Sequence, residues 1–117
     1  MRALALLSLF ALTGCETSGY GYVNARSSGV RVVRDDHGMR RTFTLLPRHR
    51  LSPIIHDAVP DLVTVYDSHG KKLGSVSSPT DFRPFGAPTI LIDDKGVGYT
   101  KLANWAQFPE QERPPFQ

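Results

Sequence analysis

The chain of 117 residues contains a single cysteine, Cys15, which limits its thiol chemistry. One cysteine cannot form a disulfide within the chain, even in a compartment that permits disulfides. It also excludes zinc ribbons and CxxC redox sites, since these need several cysteines. A chain of this length forms one small domain at most, with a modest core.

Sequence motifs for enzymatic chemistry are missing as well. The sequence has no G-x-S-x-G serine elbow and no glycine-rich phosphate loop, and its paired aspartates stand in predicted turns. His56 and Asp57 are adjacent, but neighbours in sequence seldom face each other usefully. We therefore expect no enzymatic activity, no catalytic residue and no cofactor.

Strong charge and long apolar stretches are absent beyond the N-terminus. The formal net charge of +3 is only mildly basic, so nucleic acid is not an expected partner. No stretch after Cys15 is long and apolar enough to span a bilayer. No long segment has apolar residues at helical spacing, and nine prolines interrupt the chain, which favours strands over helices.

The N-terminal segment has the layout of a bacterial export signal. Arg2 is followed by an apolar run over residues 3–12, which is too short to span a bilayer core of about 30 Å. Residues 12–15 read Leu-Thr-Gly-Cys, which resembles a bacterial lipobox, where a lipid is joined to the cysteine and the preceding peptide is removed. The alternatives are a plain secretory signal and a buried N-terminal helix with a free thiol.

The resemblance to bacterial lipoproteins covers residues 1–15 alone and implies a location. It implies a signal peptide over residues 1–14 and an acylated, palmitate-bearing Cys15 in the bacterial cell envelope. Glu16 is not the aspartate linked to inner-membrane retention, which favours the outer membrane, with the domain facing the periplasm. Several acyl chains on such an N-terminus hold a protein firmly, whereas one chain binds reversibly.

Residues 15–28 are predicted to be a lipidated, flexible tether. Glycine, serine, threonine and asparagine dominate this segment, and such a composition cannot build a core. Its two tyrosines, Tyr20 and Tyr22, either rest near the membrane interface or pack on the domain.

Three copies of a D-x-x-G pattern predict three β-hairpins within a β-domain over residues 29–108. The aspartate accepts a hydrogen bond from a backbone N–H two residues on, and the glycine supplies the positive φ that ends a type I turn with a G1 bulge. Extended, β-branched or aromatic residues flank each copy. The copies begin at Asp35, Asp67 and Asp93.

The fold class expected from these hairpins is all-β, with about six strands in a small antiparallel sheet, a sandwich or a partly closed barrel. Between the first two hairpins, residues 52–59 predict one helical turn, with Ser52 as N-cap and Pro53 at the first position. The expected core residues are Val32, Phe43, Leu45, Val63, Val65, Leu73, Val76, Ile90, Ile92, Tyr99 and Leu102.

Two histidines form the one conceivable metal site. His37 and His69 occupy the same position in equivalent turns, each next to an aspartate. However, Lys95 fills that position in the third turn, which indicates that exposed turns simply favour polar residues there. We therefore expect no metal site.

An arginine-rich segment is the candidate partner-binding site. Residues 31–50 hold six arginines against two aspartates. We expect Arg31, Arg34, Arg40 and Arg41 to contribute to a patch for an envelope protein or an anionic envelope polymer. The alternative is a solvated face whose charges protect sheet edges from aggregation.

The C-terminal part differs in composition from the hairpins. Trp105 and Phe108, three residues apart, predict a short helical turn docked on the sheet, and Trp105 is a candidate contact for a partner. Residues 109–117 are rich in proline and predict an extended, mobile tail.

Together these features predict a membrane-anchored, non-catalytic binding or assembly module for an envelope protein or polymer. The alternative is an inhibitor or immunity lipoprotein that blocks a cell-wall hydrolase or a toxin through an exposed loop.

Overall fold

The computed structural model describes residues 18–56, 60–79 and 88–112. The predicted signal peptide, Cys15 and residues 113–117 of the predicted tail lie outside this part. The described residues form eight strands and one short 3₁₀ helix, Leu102–Trp105. The strands are β1 (Ser18–Asn24), β2 (Val30–Asp36), β3 (Met39–Leu45), β4 (Arg50–His56), β5 (Leu62–Tyr66), β6 (Lys72–Ser77), β7 (Pro88–Asp93) and β8 (Gly96–Lys101).

The strands form two four-stranded sheets that enclose one core. The first sheet has the order β4-β1-β7-β8, in which β1 and β7 run parallel. The second has the order β3-β2-β5-β6 and is antiparallel throughout. The all-β prediction is confirmed, and the arrangement resembles a β-sandwich. The described residues hold eight strands where about six were predicted.

The three predicted hairpins are confirmed as β2–β3, β5–β6 and β7–β8. The D-x-x-G glycines Gly38, Gly70 and Gly96 all have positive φ. The side chains of Asp67 and Asp93 accept bonds from N–H groups two residues on. The first turn differs from the prediction, because His37 (φ 53°) and Gly38 (φ 91°) form a two-residue loop with both φ values positive, as type I′ turns require.

The predicted flexible tether is wrong for residues 18–24. They form β1, an inner strand that pairs with β4 on one side and β7 on the other. Tyr20 and Tyr22 point into the core and are fully buried, which settles their placement in favour of packing on the domain. The buried Asn24 amide donates to the carbonyl oxygens of Ser28 and Leu45, so even the polar residues of this segment have internal partners.

The helical turn predicted over residues 52–59 is also wrong for residues 52–56, the part that the structure describes. Residues 50–56 form β4, an edge strand, and Leu51 is buried in the core. The register against β1 shifts between Leu51 and Ile54, which marks a bulge around Ser52 and Pro53. Proline has no N–H to donate and is therefore tolerated at a bulge on an edge strand.

The core lies between the sheets and consists of inward-facing residues of alternating strands. Seven predicted core residues are buried there, and Leu73 and Val76 are partly buried against them. The predictions for Tyr99 and Leu102 are wrong, because Tyr99, although on the same face as Ile90, is 57% exposed at the sheet edge and Leu102 is only half-buried. The seven buried residues are Val32, Phe43, Leu45, Val63, Val65, Ile90 and Ile92.

The C-terminal segment covers the edge of β4, so residues 109–112 of the predicted tail are hydrogen-bonded to the domain. Arg50 donates its N–H to Pro109 and accepts one from Gln111, so the segment adds a short parallel bridge to β4. The Gln111 side chain accepts from the N–H of Leu46 (2.7 Å) and donates to the carbonyl of Thr44 (2.8 Å). Because this segment is also bonded to Arg50, it links the two sheets at β3, an edge strand of the second, and β4, an edge strand of the first.

Candidate partner-binding face

The outer surface of β3, β2 and β5 presents the candidate site. Along β2, Val30, Val32 and Arg34 point inward, since side chains alternate between the two faces of a strand. Arg31, Val33 and Asp35 therefore point outward. With outward residues of β3 and β5 they line a shallow depression of about 330 Å³, which we call the binding face. It is lined by Arg31, Val33, Asp35, Arg40, Thr42, Leu62, Thr64 and Tyr66.

An arginine stacked on a tyrosine stands at one end of the binding face, where β2 begins. Arg31 and Tyr66 are cross-strand neighbours, and the guanidinium carbon of Arg31 lies 4.6 Å from the centre of the Tyr66 ring. At exposed sites such a cation–π contact contributes about 0.5–1 kcal/mol. Arg31 forms no ion pair within the described residues, so its charge is available to a partner.

The opposite end of the binding face, where β2 ends, combines charge with exposed apolar surface. Arg40 lies 4.0 Å from the carboxylate of Asp35, and its side chain is 75% exposed. Leu62, opposite Asp35 on the other neighbouring strand, is 51% exposed. Between the two ends, the Thr64 hydroxyl is hydrogen-bonded to Ser75 at 2.8 Å. The face therefore offers cations, an aromatic ring and an aliphatic side chain, which suits protein recognition.

Arg34, the second predicted contact, lies in the interior and is unavailable to a partner. Only 8% of it is exposed, and its Nε lies 3.7 Å from the carboxylate of Asp61, which is itself buried. The hydroxyl of Tyr20 donates to the same carboxylate at 3.0 Å, and the Tyr22 hydroxyl donates to that of Tyr20 at 3.2 Å. These four side chains form what we call the buried polar cluster.

Within the buried polar cluster, the pKa values of Tyr20, Tyr22 and Arg34 are all raised. Burial raises the pKa of Tyr20 to about 12, with the Asp61 charge adding to the effect. Burial and the neighbouring Tyr20 raise the pKa of Tyr22 well above its usual value. Burial alone lowers the pKa of Arg34, but Tyr20, Tyr22 and Asp61 outweigh it and the pKa rises. Both tyrosines thus remain neutral hydrogen-bond donors under ordinary conditions, and Arg34 remains charged.

The other two predicted contacts lie away from the binding face. Arg41 shares the inward-facing side of β3 with Phe43 and donates a long hydrogen bond to the sulfur of Met39. Trp105 belongs to the 3₁₀ helix, donates to the Thr100 hydroxyl and meets the Phe108 ring edge-on at 5.3 Å. Of the five predicted contacts, the structure therefore brings only Arg31 and Arg40 together.

The two turn histidines stand at opposite ends of the second sheet. His37 follows the end of β2, whereas His69 lies in the turn after Tyr66, which pairs near the start of β2. Within the described residues, no group of three or more histidine, cysteine, aspartate or glutamate side chains could hold a metal ion. Asp67 has a local role, because the N–H groups of Lys71 and His69 bind its carboxylate and lower its pKa.

Sequence reasoning missed the side of the binding face that β5 contributes. Leu62, Thr64 and Tyr66 alternate with the buried Val63 and Val65, so a period-two reading of β5 could have put all three on the outer face. Their position beside Arg31 depends on the pairing of β2 with β5, and 25 residues of the chain lie between these two strands. No local pattern reports that pairing.

Comparisons of the chain with models of protein families, with curated proteins and with solved structures gave no match. Within the described residues, none of the helical structure is long and apolar enough to cross a bilayer.

Proposed function

We propose that this protein is a lipid-anchored, non-catalytic binding module of the bacterial cell envelope, and that its binding face holds an envelope partner. The observation that carries the proposal is the Arg31–Tyr66 pair on the outer surface of the second sheet. Arginine and tyrosine are over-represented among residues that dominate the energy of protein interfaces. The Leu-Thr-Gly-Cys motif supports the location, with Cys15 as the acylated residue and the outer membrane, facing the periplasm, as the favoured site.

The chemistry of the binding face favours a protein partner over a purely anionic polymer. Arg31 supplies a cation for acidic groups, while Tyr66 and Val33 supply apolar contact. One carboxylate, Asp35, also lies on this face and would repel a uniformly anionic chain. An acidic protein surface with some apolar side chains complements this mixture.

The experiment is recovery of partners from solubilised envelopes with the full chain and two charge-reversal variants. Arg31→Glu reverses the charge on the binding face, and Lys95→Glu makes the same change at an exposed turn of the first sheet. We expect Arg31→Glu to lower recovery of a bound protein at least tenfold, because it removes the stacked cation and adds a repulsive charge. Lys95→Glu is expected to bind as the unmodified chain does.

Equal recovery with Arg31→Glu, at unchanged thermal stability, would rule out the binding face. The identity of the partner separates the two roles, since an assembly-machine subunit supports an accessory function and a cell-wall hydrolase or toxin supports an inhibitor. The mass of the N-terminal peptide from the same preparation reports whether Cys15 is acylated.

A further inference from the structure

The start of β1 lies very close in the chain to the proposed lipid anchor. Three residue steps separate Cys15 from Ser18, the first residue of the strand. Since a chain extends by at most about 3.6 Å per residue, the two Cα atoms are within about 11 Å of each other in any conformation of the link. A sandwich held this closely cannot move far from the bilayer surface.

Chain direction shows which residues share that end of the sandwich. Tyr20, near the start of β1, donates to Asp61, which directly precedes β5. Leu62 at the start of β5 pairs with Asp35 near the end of β2. The β2–β3 hairpin, which turns after residue 36, therefore lies at the same end as Ser18. We call this end, with Met39, Arg40 and Leu62 exposed on it, the proximal end.

The proximal end carries the chemistry of a membrane interface. Met39 is 59% exposed and Leu62 is 51% exposed, and both are large apolar side chains. Arg40 is exposed at the same end but points to the opposite face of β3 from Met39, beside the carboxylate of Asp35. The exposed Lys101 ends β8 at the level of residue 88, the first residue of β7. Apolar side chains that enter the headgroup region, flanked by cations that meet lipid phosphates, are the usual features of surface-bound proteins.

We propose that the proximal end docks on the phospholipid surface, with Met39 and Leu62 in the headgroup region and Arg40 on lipid phosphate. The proposal rests on the lipid anchor of the proposed function. The short link to Cys15 keeps this end next to the bilayer surface, so the membrane is always within reach of it. Arg31 and Tyr66 then stand about 13 Å further out, four residues along β2, and face the aqueous compartment.

The test uses the acylated full chain in vesicles of phosphatidylethanolamine and phosphatidylglycerol. Because acylation consumes the Cys15 sulfur, one introduced cysteine is the only free thiol and takes a nitroxide label. Met39→Cys and Leu62→Cys report on the proximal end, and Ser68→Cys reports on the exposed turn at the opposite end. We expect the ratio of collisions with oxygen to collisions with a water-soluble nickel chelate to be several-fold higher at Met39 and Leu62 than at Ser68.

The outcomes distinguish a failure of membrane docking from a failure of the lipid anchor. Acylated chains whose three labels are equally hydrated would overturn docking while leaving the anchor intact. Labels at Met39 and Leu62 that are immobilised without greater exposure to oxygen would indicate a protein contact and would also overturn it. A chain with no acyl mass on Cys15 would overturn the anchor, and the docking proposal with it.

Discussion

The buried polar cluster predicts a loss of stability at alkaline pH. The pKa of Tyr20 is about 12 in the folded chain and about 10 in an unfolded one, so the folded state holds its proton more tightly. The contribution is therefore complete below about pH 10 and is lost as the pH rises toward about 12. Linkage gives a loss of about 1.4 kcal/mol at pH 11 from Tyr20 alone, and Tyr22 changes in the same direction.

The assay is urea unfolding of the full chain between about pH 9 and pH 11, compared with Tyr20→Phe. The variant loses the hydrogen bond to Asp61 at every pH, but it also loses the ionising hydroxyl. Its free energy of unfolding should therefore fall less steeply, by about 1.4 kcal/mol at pH 11 relative to the unmodified chain. Tyr66→Phe removes a hydroxyl outside the cluster and serves as the control.

Identical pH slopes for the unmodified chain and Tyr20→Phe would refute the reasoning, because they would mean that Tyr20 ionises as easily in the folded state as in the unfolded one. Absorbance at the tyrosinate wavelength gives an independent check on the same samples. We expect part of the tyrosine signal to appear only together with unfolding.

Two stability predictions concern the edges of the sandwich. Gln111→Ala should lower the free energy of unfolding by about 2 kcal/mol, because the N–H of Leu46 and the carbonyl of Thr44 lose their partner. The control Glu112→Ala should change it by no more than about 0.5 kcal/mol. Equal effects of the two variants in urea unfolding would contradict this role for the C-terminal segment. Gly74→Ala should lower the free energy of unfolding by about 1 kcal/mol, because the added Cβ would lie 3.1 Å from a methyl carbon of Val97. Gly98→Ala has open space around the added Cβ and should leave the free energy of unfolding unchanged. Equal unfolding curves for the two variants would show that Val97 moves aside without strain.

The arginines show how far sequence reasoning reached at the candidate site. Alternation correctly implies that Arg31 and Arg34 lie on opposite faces of β2. Val32, a predicted core residue, shares its face with Arg34, so the pattern places a cation on the inward side without showing what stabilises it there. Arg34 is buried because Asp61, 27 residues away, supplies a carboxylate beside it. A buried cation needs such a partner, and only the assembled sheets provide one.

The N-terminal segment shows the same limit for the fold. Its composition predicts a tether, since glycine and polar residues bury little apolar surface on their own. Between β4 and β7, however, Tyr20 and Tyr22 reach the core, and the backbone of β1 pairs with a strand on each side. The C-terminal segment is held against the domain for a comparable reason, because the Gln111 side chain is hydrogen-bonded to Thr44 on β3 and to Leu46 just after it.

The sequence by itself determined the three hairpins and the all-β class, because an aspartate, a glycine with positive φ and flanking β-branched residues act within a few residues of one another. The tertiary structure decided everything that depends on pairing across long separations. It placed β1 inside a sheet, buried Arg34 beside Asp61, set Tyr66 against Arg31, and put the start of β1 at the same end as Met39 and Leu62. Those contacts join segments 20 to 70 residues apart, and no local pattern records which distant strand completes them.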